Sequence, residues 1–316
     1  MSTARPLHPA TALDGISQEA CDAMRARIVS LSGEIVAAAD RMHAQDPNAP
    51  RYAAPLTFTK IFLMLDALSG GDANGKRLLD VGCGGGGLMA QAFALGMHPL
   101  GIDIYGGQAH SREVAEALLA AAAMDAATIA ESVRDADITA LPDDLIGQFD
   151  FVVSLGMLEH IPQPEERSRA VQNMIRALKP GGSMILECAP NSRVPFDLFH
   201  FGPRFPLYHM LPDRLKRIYM ASAISRRHAD LNEVQRDPRF LTGVPVAEIE
   251  TAIRAVDRDA TIVRAFPLVT RLSVSRGWLR RPSAQRVVGA ISNLLVRLKM
   301  EPLIVVVAVR PALSAS

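Results

Sequence analysis

Cysteine is scarce in this chain. Cys21, Cys83 and Cys188 lie far apart, and no two stand at a C-x-x-C spacing. That excludes a disulfide framework and a cysteine-based zinc site, and it fits a reducing compartment. An excess of charge is also missing, because 34 Lys and Arg against 33 Asp and Glu leave a formal net charge of +1. General nucleic-acid binders carry a clear basic excess, so no nucleic-acid partner is expected. Long apolar runs are absent as well. The first residues, MSTARPLHPATALDGISQE, hold no continuous apolar stretch of the signal-peptide kind. Nothing approaches the roughly 20 apolar residues that span a bilayer. The expected location is the cytoplasm. No internal repeat or low-complexity segment interrupts the sequence.

What is present is a globular composition, 49% hydrophobic and 21% charged over 316 residues, enough for one large core or a domain with a subdomain. From Ser17 to His43, Met24, Ile28, Leu31, Ile35 and Ala38 recur on one helical face, and DPNAP (46–50) ends the pattern. A second helix, near 56–68, carries Ile61, Met64, Leu65 and Leu68. Short apolar strands then alternate with helices: RLLDV (77–81), a helix to Leu95, PLGID (99–103), an Ala-rich helix from Ser111 to Met124, a weak strand near 132–137, FDFVVSL (149–155), a helix over 165–178 and GSMILECA (182–189). Such alternation predicts βαβ units and a parallel sheet covered on both faces. After Pro190 it lapses, and resumes as a helix over 244–256, strands at 260–266 and 302–309, and an Arg-bearing helical stretch between them. The expected organisation is an N-terminal helical extension (1–55), a core (56–190), an acceptor-side insertion (191–243) and a C-terminal part of the core (244–316) with a second, basic insertion.

Within LLDVGCGGGGL (78–88), five glycines occupy the six positions 82–87. Each costs backbone entropy, and between a strand and a helix the stretch marks a crevice where a ligand touches the backbone. Gly82, Gly84 and Gly87 satisfy the dinucleotide pattern G-x-G-x-x-G, while Asp80, Gly82, Gly84 and Gly86 satisfy D-x-G-x-G-x-G. Asp103, ending the second strand, suits the hydroxyls of a ribose in either case. Asp80 suits a cationic amino acid and sulfonium better than a pyrophosphate. Asp137 offers an acceptor for an adenine amino group at a third strand end.

The segments LLDVGCGGGGL, GIDI, DITALP, FDFVVSLGMLEHI and LKPGGSMILECAPN (78–191) stand in the order of the class I S-adenosylmethionine-dependent methyltransferases, which the chain resembles. The resemblance implies a Rossmann-like α/β fold with a seven-stranded sheet in the order 3-2-1-4-5-7-6, strand 7 antiparallel. It implies S-adenosylmethionine as methyl donor, with Asp80, Gly82, Cys83 and Gly84 at the methionine part, Asp103 and Ile104 at ribose and adenine, Asp137 and Ile138 at adenine, and Leu155 as a backbone contact. The alternatives are a non-catalytic binder of the same molecule and a nicotinamide-dependent oxidoreductase, which leaves LKPGG and LEH unexplained.

Methyl transfer to a hydroxyl needs orientation and a base, and histidine ordinarily titrates near neutrality. His160, in MLEHIP after the fourth strand, is the candidate base. The second reading gives Glu159 and His160 a loop-holding role. The ubiquinone-pathway O-methyltransferases, which the first motif resembles, use E-x-x-E-H here. This chain has Gly156 where the first acid stands, so no metal is expected. The segment 191–219 offers Asp197, His200, Tyr208 and His209 among phenylalanines and prolines; one reading has the aromatics and prolines pack a lid, the other has His200 or His209 face a small-molecule or lipid-linked acceptor. That Pro-rich segment is similar to ones in methyltransferases of polysaccharide and glycolipid clusters. Finally, 271–299 carries Arg271, Arg276, Arg280, Arg281, Arg286, Arg297 and Lys299 with no acid, beside Trp278 and a stripe of Val287, Ile291, Leu294, Leu295 and Leu298. Two roles are open to it: a peripheral membrane contact, or packing on its own domain.

Overall fold

The computed structural model describes residues 8–45, 58–105, 109–195, 207–224, 242–268 and 282–311. Asp197, His200, Arg271, Arg276, Trp278, Arg280 and Arg281 lie outside them.

Seven strands form one sheet: β1 (Arg77–Val81), β2 (His98–Asp103), β3 (Val133–Asp135), β4 (Phe149–Leu155), β5 (Leu178–Cys188), β6 (Thr261–Arg264) and β7 (Ile304–Val309). Their order is β3-β2-β1-β4-β5-β7-β6. The pairs from β3 to β5 are parallel, and β7 runs antiparallel to both β5 and β6. This is the Rossmann-like topology that the resemblance implies. The period-2 alternation of strands explains how the sheet is covered. Leu78, Phe151, Val153, Ile185, Val305 and Val307 share one face and pack under the N-terminal helices α1 (Pro9–Asp14), α2 (Gln18–Leu31) and α4 (Thr59–Leu68). Leu79, Val152, Met184, Leu186 and Val306 point the other way, against α8 (Pro164–Ala177) and α10 (Val246–Val256).

The apolar face read from Ser17 to His43 does not form one helix. It breaks at Ser32, and α3 (Gly33–Gln45) begins at Gly33. Met24 and Ile28 belong to the cluster under α4, whereas Ile35 and Ala38 pack with Cys83, Met89 and Val114 near α6 (Ala109–Ala121). The chain serves two walls and bends between them, where glycine contributes little helix propensity. Leu31, at the bend, is 43% exposed rather than in the core.

Two more boundaries differ from expectation. A short helix, α7 (Ala126–Ser132), precedes β3, capped by Asp125, whose side chain accepts from Thr128 N. β5 begins earlier than GSMILECA: Leu178 pairs with Phe149, the chain bulges through Lys179–Gly182, and Ser183 then pairs with Phe151. A Cβ at Gly182 would lie 3.0 Å from the carbonyl oxygens of Asp150 and Lys179, tighter than ordinary packing, so the bulge favours glycine.

Candidate functional site

The glycine turn sits where β1 leaves the sheet and α5 (Gly87–Ala94) begins. Gly82, Gly84 and Gly86 have φ of +76°, +49° and +70°, the left-handed region that side chains disfavour. Gly82 is crowded as well, since a Cβ there would lie 2.8 Å from Met157 Cγ. The N–H groups of Gly82 and Cys83 both donate to Ile102 O, at 2.9 and 3.2 Å, which pins the turn to the end of β2.

The two strand-end carboxylates are in opposite situations. Asp103 accepts from Gly84 N through Oδ2 and from Ile104 N through Oδ1, both at 2.7 Å. Asp80 is 4% exposed, and no described residue donates a hydrogen bond to it. Burial first, and then the nearby negative charge of Asp103, push its carboxyl up to about 8. A buried carboxylate without a donor is costly in the ligand-free chain. A cation placed beside it would remove that cost.

Cys83 is buried, with Sγ 3.1 Å from the Tyr105 hydroxyl, which also donates to Gly84 O at 3.2 Å. Burial and the charge of Asp80 hold the Cys83 thiol well above its usual range, so it stays protonated. Gly101 leaves room for this packing: a Cβ on it would fall 2.6 Å from Cys83 Sγ and 2.3 Å from Met89 Sδ. Ile104 is 62% exposed at the mouth of the turn. Asp137 is exposed and accepts from Thr139 N at 2.8 Å, starting a short turn whose Ile138 carbonyl accepts from Asn173 Nδ2 at 2.7 Å. Leu155 closes β4 opposite Glu187 of β5, and Gly156 N donates to Glu187 O.

Glu159 and His160 share one turn and face different surroundings. Glu159 is buried; its Oε1 accepts from Ala189 N at 3.3 Å, and its carbonyl accepts from Thr242 N and Thr242 Oγ1 at 2.9 and 3.0 Å. It thereby joins the ends of β4 and β5 to the segment before α10. His160 is exposed. Arg167 braces the same turn from α8, donating to the carbonyls of Ile161 and Pro162 and pairing with Glu248 at 2.8 and 3.0 Å. Tyr208 and His209 are buried, His209 against Gly243: a Cβ at Gly243 would lie 3.0 Å from His209 Cδ2.

The structure therefore gathers Asp80, Gly82, Cys83, Gly84 and Asp103 around one turn, with Ile104 beside it and Asp137 and Ile138 past the end of β3. Sequence reasoning missed Tyr105, Met157, Arg167 and Thr242. Tyr105, two places beyond Asp103 in GIDIY, offered the one local signal. The other three act across distances no motif spans.

A profile of the methyltransferase-domain family matches residues 56–230. Among curated proteins, the chain is similar to a ubiquinone biosynthesis O-methyltransferase of Marinobacter nauticus, 35% identical over 194 residues, or 58% of this chain and 74% of that one. The counterpart in Pseudomonas syringae pv. tomato is 41% identical over 113 residues, covering 35% of this chain and 43% of its own length. Among solved structures, a Haemonchus contortus phosphoethanolamine N-methyltransferase 2 in complex with S-adenosyl-L-methionine overlays with a TM-score of 0.47 and 14% identity, covering 96% of this chain and 60% of that one. An S-adenosylmethionine-dependent methyltransferase from Archaeoglobus fulgidus overlays at 0.40 with 16% identity, over 79% and 93% of the two chains. On the strength of the sequence matches, the chain belongs to the methyltransferase-domain family and is an S-adenosylmethionine-dependent methyltransferase.

Proposed function

We propose that the protein methylates a hydroxyl oxygen of a small-molecule or lipid-linked acceptor, with the donor held around the glycine turn. S-adenosylmethionine supplies a methyl group activated on a sulfonium and leaves as S-adenosylhomocysteine. Asp80 faces the donor's ammonium, and the backbone of Gly82, Cys83 and Gly84 lies along its methionine part. Asp103 uses its remaining lone pairs on the ribose, Ile104 covers the adenine, Asp137 and Ile138 meet its edge, and Leu155 offers backbone. His160 takes the acceptor's proton on a ring nitrogen as its oxygen attacks in line. Glu159, tied to Ala189 and Thr242, positions that turn. In this reading 56–190 binds the donor and 191–243 the acceptor, and the protein works in the cytoplasm. Transfer to oxygen is supported by the similarity to ubiquinone biosynthesis O-methyltransferases.

The observation that carries the donor assignment is Asp80, buried with no hydrogen-bond donor among the described residues, beside a turn whose Gly82, Gly84 and Gly86 have positive φ. It has a measurable consequence. At pH 7 the ligand-free carboxyl, raised to about 8, holds a proton. An arriving ammonium lowers its affinity for that proton, which is released. Titration of S-adenosylhomocysteine into the protein in two buffers of different ionisation heat is expected to show release approaching one proton per ligand, and none in Asp80→Asn. Tight binding with no proton release would remove Asp80 from the site. Turnover with a methyl-donor assay on candidate hydroxyl acceptors then tests the oxygen assignment.

A further inference from the structure

The helix α11 (Pro282–Arg297) has more apolar surface than the core takes up. The single stripe read from the sequence is two. Leu295 and Val296 pack against the cluster under the N-terminal helices, and Ser292 is buried between elements. Val287, Ile291, Leu294 and Leu298 point away from it and are 58, 55, 55 and 51% exposed. At 100° per residue these four fall within an arc of about 60°. Arg286 and Arg297 are exposed along one flank, and no Asp or Glu occurs anywhere from 271 to 299. Lys299 turns aside to pair with Glu250 at 3.3 Å.

We propose that this outer face of α11 docks the protein on an anionic lipid bilayer. The charge pattern selects that occupant. Apolar side chains flanked by arginine, with no acid on the helix itself, match an acyl layer beneath anionic head groups. A second copy of the chain fits poorly in an antiparallel two-fold contact, which would set the basic flank of one helix against that of the other. A second element carries exposed apolar and basic residues, though with an acid at its start: on α9 (Asp213–Ile224), Leu215 and Ile218 are 40 and 65% exposed beside exposed Arg214 and Arg217, and Asp213 pairs with Lys216 at 3.8 Å.

Both helices are tied to the turn that follows β5. Asn191 Nδ2 donates to the carbonyls of Lys299 and Glu301, each at 3.0 Å, just past the end of α11. Gly243 lies close to both Ser192 and His209, the latter just ahead of α9: a Cβ on it would fall 2.9 Å from Ser192 Cα and 3.0 Å from His209 Cδ2. The docking face thus adjoins the acceptor end of the sheet. Only that link to the acceptor rests on the function proposed above; docking itself stands without it.

The test is flotation of the full chain with phosphatidylcholine vesicles and with phosphatidylcholine–phosphatidylglycerol vesicles. The protein is expected to float with the second and not the first, and to be released as salt rises from about 0.1 to 1 M and the Debye length falls from about 10 to 3 Å. The pair Ile291→Glu and Leu294→Glu should reduce the bound fraction about tenfold or more, with the melting temperature within about 2 °C of wild type. Arg286→Ser with Arg297→Ser should do the same by removing charge alone, which keeps the test decisive if the first pair fails to fold. Absence of binding to both vesicles overturns the proposal, as does equal flotation of the charge variant. So does a wild-type dimer that Ile291→Glu and Leu294→Glu turn into a monomer without any vesicle binding. Donor binding measured by calorimetry is untouched by each of these results, so this proposal and the functional one fail separately.

Discussion

The glycine turn and the segments that meet past the ends of β4 and β5 are held together at different ranges of sequence. Around the glycine turn, Gly84 N reaches Asp103 across 19 residues, and Gly82 and Cys83 N–H groups reach Ile102. Backbone conformation does most of the shaping there. Past the ends of β4 and β5, Arg167 meets Glu248 across 81 residues, Thr242 meets Glu159 across 83 and Asn191 meets Glu301 across 110. Side chains join long-range backbone bonds in the shaping here. A local motif can therefore specify the first region, while the second exists only once distant segments have met.

The sharpest way to break this comparison is Asp103→Ala. Its two charge-assisted bonds, to Gly84 N and Ile104 N, are worth about 1.5–3 kcal/mol each, and the ribose contact proposed above would go with them. Affinity for S-adenosylhomocysteine should fall about 100-fold or more by calorimetry. An unchanged affinity in a folded variant would show that the turn does not depend on the carboxylate. Next comes Arg167→Met on the other side. Removing one member of a buried pair costs about 3–5 kcal/mol, since Glu248 and the carbonyls of Ile161 and Pro162 lose their donor. Denaturant unfolding should record that loss, while donor affinity in the folded variant changes about threefold or less. If donor affinity collapses instead, the two regions are one unit.

A smaller effect separates Asp80 from Asp103 through pH. The folded Asp80 carboxyl, raised to about 8, keeps a proton that the unfolded chain releases near pH 4. Its contribution to stability is therefore complete below about pH 4, declines as pH rises, and is gone above about pH 8. Melting temperatures of the ligand-free protein from pH 5 to 8.5 should slope downward more steeply than those of Asp80→Asn, and saturating S-adenosylhomocysteine should flatten the slope. Equal slopes in both proteins would count against a raised carboxyl. The smallest expected effect is none at all. With Gly156 where a first acid would stand, and Glu159 turned to Ala189, methyl transfer should survive exhaustive chelation. Loss of turnover with EDTA and its recovery with magnesium would reverse that expectation.

The difference in range also explains what could be read from the sequence. RLLDV and FDFVVSL coincide with β1 and β4 residue for residue, and the glycine turn lies where its pattern put it. These features depend on neighbours in the chain: apolar runs, positive φ, a carboxylate one strand away. The break at Ser32 depends on which wall each half of a helix meets, and periodicity is silent on that. The same holds for α11, where Leu294 and Leu295 are adjacent in sequence but one faces outward and the other the core. Helical spacing identified the apolar residues, but only packing showed that they divide into two faces. The bracing of Glu159 by Thr242, 83 residues away, left no trace in MLEHIP.

The position of β7 has a consequence for how the protein is made. It follows every other strand in the chain, yet it lies between β5 and β6 and pairs with both. While ribosomes are still translating residues 304–309, β5 presents the bare edge Ser183–Cys188, and β6 has no neighbour in the sheet. The nascent chain therefore carries an open, apolar strand edge until nearly all of its described length has emerged, a stage at which strand edges invite pairing with other chains. Translation that stalls before Ile304 would leave a product with its glycine turn encoded and its sheet unsealed, the form that chaperones and proteases meet first.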